Sequence, residues 1–142
     1  MESYTMSELH IGQSASVTKT FTEGDVFVFA GFTGDLNPVH ISEEFAKTTK
    51  FGRRIVHGPY VATLIGSVLG QQLPGGGSVY VSQNIRFRAP VFIGDTITCT
   101  LTVKEMNTER NRLTLDICLT NQDGRVVMDG ESVTMPALKK LI

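Results

Sequence analysis

The chain has 142 residues, 41% of them apolar and 19% charged, which suits one domain over 1–142 and leaves no room for two full ones. Folding at this length buries roughly 68 to 70% of the surface that the unfolded chain exposes, so a core is expected without metal or disulfide staples. The 13 basic and 14 acidic residues exclude a general attraction to polyanions, and no nucleic-acid partner is expected.

In chain order, residues 1–8 carry neither the basic nor the apolar region of an export signal. They are expected to be flexible, and the protein to be cytoplasmic. A first strand is expected near 13–21. Thr22 then offers a hydroxyl cap for a short helix, with Asp25 at the positive end of its dipole and Phe27, Phe29 and Ala30 facing inward. The longest helix is expected over 58–72, about 22 Å at the standard rise. Its apolar residues Val61, Leu64, Ile65, Val68 and Leu69 spread widely around the circumference, which predicts burial. Ala62, Gly66 and Gly70 form a stripe of small side chains, expected to let the backbone approach a sheet closely. Thr63, Gly66 and Ser67 interrupt the best apolar run, so no membrane span is expected.

The segment 73–78, Leu-Pro-Gly-Gly-Gly-Ser, follows a helix instead of preceding one, so it reads as a helix stop and turn and not as a phosphate loop. Beyond it, Val79, Val81, Ile85 and Phe87 share one strand face, with Tyr80, Ser82, Asn84, Arg86 and Arg88 on the other. Alternation is unbroken over 96–103 and recurs at Leu113, Leu115, Ile117 and Leu119; the turn at 121–124 leads into a last strand over 125–135. These four strands are expected to form an antiparallel meander. The fold class is therefore α+β, a curved antiparallel sheet of about five strands around one long buried helix. Cys99 and Cys118 fall on opposite strand faces, and no bridge between them is expected.

Two stretches offer chemistry. In Asp35-x-Asn37-Pro38-x-His40 the proline fixes its own φ and moves Asn37 out of the helical region, so a rigid bend carries a carboxylate and an imidazole. Two readings fit: an Asx-type turn with His40 capping a local carbonyl, or two side chains converging on one water. The second stretch, Val56-His57-Gly58-Pro59, delivers the chain to the long helix. There the unpaired N–H groups and the dipole suit a developing oxyanion, and Gly58 is the candidate donor because it lacks a side chain.

Together these residues resemble the MaoC-type (R)-specific enoyl-CoA hydratases of the hot-dog fold. The resemblance runs from about Phe21 to Thr134 and includes Gly70-Gln71-Gln72-Leu73-Pro74-Gly75, Phe87-Arg88-Ala89-Pro90-Val91 and Gly94-Asp95-Thr96. It implies reversible hydration of a trans-2-enoyl-CoA to the (R)-3-hydroxyacyl-CoA, with no metal and no redox cofactor, coenzyme A being part of the substrate. It assigns catalysis to Asp35, His40 and the backbone of Gly58, and supporting roles to Asn37 and His57. It further implies at least a homodimer, paired through sheet edges. Some members carry a serine on the central helix where this chain has Gly66, and no role is transferred to the adjacent Ser67. Lys47, Lys50, Arg53, Arg54, Arg86 and Arg88 are candidates for the coenzyme A phosphates. The alternatives are a hot-dog acyl thioesterase, a 3-hydroxyacyl-carrier-protein dehydratase, and a non-catalytic domain that binds acyl thioesters or dimerises.

Overall fold

The computed structural model describes residues 1–141. A 3-10 turn at Met6–Glu8 is followed by β1 (Ser14–Thr20), α1 (Glu23–Thr33), α2 (Pro38–Ile41), α3 (Glu43–Ala46) and α4 (Gly58–Gln71). Then come β2 (Val79–Phe87), β3 (Thr96–Asn107), β4 (Arg112–Thr120) and β5 (Val126–Met135). The five strands form one antiparallel sheet in the order β1-β3-β4-β5-β2.

Alternation builds the core. Ile97, Cys99, Leu101 and Val103 of β3 and Leu113, Leu115, Ile117 and Leu119 of β4 are buried on one face. Against that face lie Val61, Leu64, Ile65, Val68 and Leu69 of α4. Cys99 is buried and Cys118 exposed, both as free thiols, as their strand phase predicts. Thr22 caps α1 as expected: its Oγ1 accepts from Asp25 N–H at 3.2 Å, and its own N–H donates to Asp25 Oδ2 at 2.9 Å.

Four expectations are corrected. The meander holds for β3, β4 and β5 only, because β2 pairs with β5 at the far edge of the sheet. A short connection does not require adjacency: the segment 88–95 reaches roughly 26 Å when extended, against about 14 Å for three interstrand steps. As an edge strand β2 is exposed on both faces, with only Ile85 half-buried.

The small-residue stripe does not meet the sheet. Gly66 and Gly70 are exposed, and an added Cβ at either would touch nothing within 4 Å. At 100° per residue the stripe lies roughly 90 to 170° from the centre of the apolar face, so α4 is buried on one side only. On α1, Val26 and Ala30 form the inward face while Phe27 turns to solvent, 48% exposed, because it sits one residue off their i, i+4 line.

Residues 1–8 are tied down instead of flexible. Glu2 N–H donates to Gln71 O and Tyr4 N–H to Pro74 O, each at 2.8 Å, and Ser3 and Met6 are buried. The segment thus satisfies the Gln71 carbonyl, which lacks an intrahelical partner at the end of α4, and the Pro74 carbonyl of the turn that follows. Among the described residues no helix is long and apolar enough to cross a membrane.

Candidate active site

Helix α1 ends at Gly34, whose φ of 79 lets the chain leave in the left-handed region. The bend that follows is held by its own side chains. Asp35 Oδ1 accepts Asn37 N–H at 3.2 Å, and Asn37 Oδ1 accepts Val39 N–H at 3.2 Å, capping α2 with Pro38 at its start. Asp35 and Asn37 therefore do form the Asx-type turn. A carboxylate has several acceptor sites, so one backbone bond leaves the exposed Asp35 side chain free to hold more.

His40, on α2, is buried. Its Nδ1–H donates to the carbonyl of Ile55 at 2.7 Å. Ile55 is itself clamped: its N–H donates to Val39 O at 3.2 Å, and the following Val56 N–H donates to Val91 O at 2.7 Å. Because a carbonyl can only accept, this bond sets the tautomer, and the neutral ring carries its lone pair on Nε2. Burial pushes the His40 pKa below the ordinary histidine value, the Ile55 carbonyl opposes that shift, the neighbouring His57 ring adds to it and Asp35 again opposes it.

His57 is the N-cap residue of α4, yet its side chain makes no cap bond. Its Nε2–H donates across the site to the backbone oxygen of Asp35 at 3.0 Å. The His40 and His57 rings stack with centroids 3.8 Å apart and planes 27° from parallel. The Asp35, His40 and His57 side-chain ligand atoms all lie within 4.8 Å of one another. Each ring gives one N–H to a backbone carbonyl, which leaves the other nitrogen of each, His40 Nε2 and His57 Nδ1, with a lone pair.

Gly58, next in sequence, is the first residue of α4, so its N–H has no intrahelical acceptor. It borders a cavity of about 380 Å³ whose walls include Val61, Phe87, Pro90, Val91 and Met128. The Phe87 ring lies against Gly58: a Cβ built there would sit 2.7 Å from Phe87 Cε1. The cavity is mostly apolar and adjoins the Asp35–His40–His57 cluster through the His57–Gly58 peptide.

The six basic candidates lie in different surroundings, with Arg88 bordering both the cavity and the groove that holds Arg86. Lys50 and Arg88 line the cavity, although Arg88 also pairs with Asp129 at 2.9 Å. Lys47 pairs with Glu44 at 2.7 Å, and Arg54 joins Glu23 at 2.7 Å to Glu43 at 2.8 Å, so both serve local structure. Arg53 lies on the Phe92 ring, 3.8 Å from its centroid, and Arg86 faces a separate groove beside Asn84 and Asp129. The Ile55 carbonyl, Phe29 beside His57 and Phe87 over Gly58 were not foreseen as parts of the site. A backbone acceptor leaves no mark on residue type, and both phenylalanines read as ordinary core positions.

The pattern that defines the family described as "MaoC like domain" matches residues 7–119. The chain belongs to the MaoC-like domain family. It is 47% identical over 124 residues to the (R)-specific enoyl-CoA hydratase of Rhodospirillum rubrum, covering 87% of this chain and 85% of that one. It is also 47% identical over 126 residues to the 3-hydroxybutyryl-CoA dehydratase of Methylorubrum extorquens, covering 89% and 80%. Among solved structures, the unliganded R-hydratase of Pseudomonas aeruginosa superposes with a TM-score of 0.91 at 39% identity, over 96% of this chain and 88% of that one. The MaoC-like hot-dog fold expected from the motifs is the fold observed.

Proposed function

We propose that this MaoC-like chain is an (R)-specific enoyl-CoA hydratase, a hydro-lyase that adds water reversibly to a trans-2-enoyl-CoA. The observation that carries the reading is the orientation of His40. With Nδ1–H given to Ile55 O, the imidazole keeps a lone pair on Nε2 in a cluster with the Asp35 carboxylate, beside a cavity bounded by the N–H end of α4. Hydration of a conjugated double bond needs a base for water, a proton for the α-carbon and a sink for charge on the thioester oxygen.

A water held between Asp35 and His40 attacks the β-carbon and loses a proton to that pair, which acts as a coupled unit. Charge moves through the former double bond to the thioester oxygen, which accepts a hydrogen bond from Gly58 N–H at the positive end of α4. The pair returns a proton to the α-carbon, and the (R)-3-hydroxyacyl-CoA leaves. Asn37 supports this by capping α2 beneath His40. No metal or redox cofactor enters the scheme, and coenzyme A arrives with the substrate. Its anionic end is assigned to Lys50 and Arg88, the two cations on the cavity wall. At least a homodimer belongs to the same reading, supported by the open β2 edge with Val79, Val81 and Phe87 exposed. A cytoplasmic location is in keeping with two free thiols.

Incubation with crotonyl-CoA, following enoyl absorbance and free thiol together, tests the function. Loss of absorbance without thiol is expected; thiol release identifies a thioesterase, and no change in either identifies a binding domain. Sedimentation showing a stable, fully active monomer at micromolar concentration excludes the dimer.

The pH dependence follows from His40. Its native pKa is depressed, so the neutral ring that the mechanism requires persists below the ordinary value of about 6.5. The acidic limb of kcat/KM is expected below pH 6.5, and a limb above that value contradicts the neutral-His40 scheme. The sign for stability is the same. The unfolded chain takes up the His40 proton more readily, so this contribution is present above about pH 6.5 and is lost as pH falls towards the native pKa.

A further inference from the structure

His57 is wholly buried, at 0% exposure, although it starts a helix beside an open bend. Three contacts hold its ring. One face stacks on His40 at 3.8 Å between centroids, Phe29 approaches at 4.8 Å with its plane tilted by 58°, and Nε2–H donates to Asp35 O at 3.0 Å. Phe29 is in turn stacked on Tyr60 at 4.7 Å, so the ring is braced from both α1 and α4. The Nδ1 atom of His57 is buried with no hydrogen-bond partner. Leaving a buried acceptor unpaired is costly, and a phenylalanine would fill the same slot without that cost. Packing alone therefore does not account for a histidine here. The single polar bond that the ring makes is to the backbone of Asp35.

We propose that His57 is a positioning residue that locks Asp35 and His40 into one rigid unit, tying the Asp35 peptide through Nε2–H while bearing on the His40 ring with its face. The inference rests on the hydratase reading of Asp35 and His40 and adds how their relative placement is kept. Each of the two has a tether of its own, Asp35 through the Asx turn to Asn37 and His40 through Ile55 O. Asn37 joins their local backbone, donating to Asp35 Oδ1 and accepting His40 N–H at 3.0 Å, whereas His57 comes from a distant segment and bears on the Asp35 peptide and the His40 ring together. It also couples them to Gly58, its neighbour in sequence, so the proton-transfer pair and the helix end that receives the thioester oxygen move together. A displacement of about 1 Å in such an arrangement lowers turnover on the order of 100-fold.

Two variants separate the polar tether from the packing. His57→Phe keeps a ring between Phe29 and His40 but cannot donate, whereas His57→Gln places an amide donor where Nε2 was and gives up the ring. With crotonyl-CoA, His57→Phe is expected to lose on the order of 10- to 100-fold in kcat with KM within about threefold, and His57→Gln, which restores the donor but not the ring contact with His40, to lose several-fold less. Amide hydrogen exchange reads the tether without any reaction. Exchange at Asn37 and Val39 is expected to quicken about 10-fold in His57→Phe, with Leu101 and Leu115 in the core unchanged. Should the phenylalanine variant not fold, His57→Asn, whose amide is too short to reach Asp35 O, takes its place with the same readouts. Wild-type turnover in the tether-free variant overturns the proposal, as does unchanged exchange at 37–39 or a loss in both variants that follows their melting temperatures. Failure of the wild-type protein to hydrate crotonyl-CoA overturns the hydratase reading instead, and the exchange comparison still decides whether His57 holds the bend.

Discussion

Asp35→Asn and His40→Asn are each expected to lower hydratase turnover by roughly 100- to 10,000-fold while the fold survives. Asparagine at 35 keeps an oxygen for Asn37 N–H, now at 3.2 Å, and loses only the charge and the ability to move a proton. At 40 an asparagine amide occupies the position of Nδ1, so it can still donate to Ile55 O, the 2.7 Å contact that anchors the ring. Asp35 is exposed, so its change opens no cavity; at 40 the shorter side chain keeps the Ile55 contact and gives up part of the stack on His57. If the pair holds one water as a unit, the double variant should be scarcely slower than the poorer single, because the second loss removes nothing still in use. Additive losses would show independent roles. A purely structural turn and cap predicts the reverse, with lower melting temperatures and near-normal turnover in the folded fraction. Turnover and melting temperature measured on the same three preparations decide, and near-normal turnover in either single variant refutes the pair.

Gly58→Ala is the second large effect. Alanine is a better helix residue than glycine, by roughly 0.5 to 1 kcal/mol in a helix interior, so stability should change little. The new methyl meets Phe87 Cε1 at 2.7 Å, and something must move. Phe87 is 58% exposed at the end of an edge strand, so its ring is the part that yields. The methyl and the displaced ring both intrude on the approach to the N–H assigned to the thioester oxygen. Loss of one such donor costs about 3 to 4 kcal/mol of transition-state stabilisation, or roughly 100- to 1,000-fold in kcat. Adding Phe87→Ala separates the two obstructions: recovery of kcat assigns the loss to the ring, and no recovery assigns it to the methyl. Unchanged kcat in Gly58→Ala itself shows that the oxygen is held elsewhere.

Features with local causes could be read before folding. The strands β3 and β4 follow from strict alternation, the start of α1 from Thr22 and Asp25 three residues apart, and the start of α4 from Gly58-Pro59. The bend at Asp35, Asn37 and Pro38 belongs with them, since its hydrogen bonds span two residues. The motif residues could be singled out because acid-base chemistry limits the side chains that perform it.

What the sequence determined by itself is thus the five strands, the two longer helices and the groups able to move protons, because propensity, capping and alternation act over a few neighbouring residues; the short turns α2 and α3 were not among them. Tertiary structure alone decided where those groups face. Pairing β2 with β5 instead of β3 depends on surfaces far apart in the chain, and that choice leaves β2 at the edge and brings Phe87 onto Gly58. The stripe at Gly66 and Gly70 could serve either side of α4 until the sheet took the face centred on Val61, Ile65 and Val68. At the site, the Ile55 carbonyl that selects the His40 tautomer and the stacking of His57 on His40 join segments 15 and 17 positions away from His40 along the chain. Such contacts form only when the core places both segments, because no interaction within either one favours the pairing.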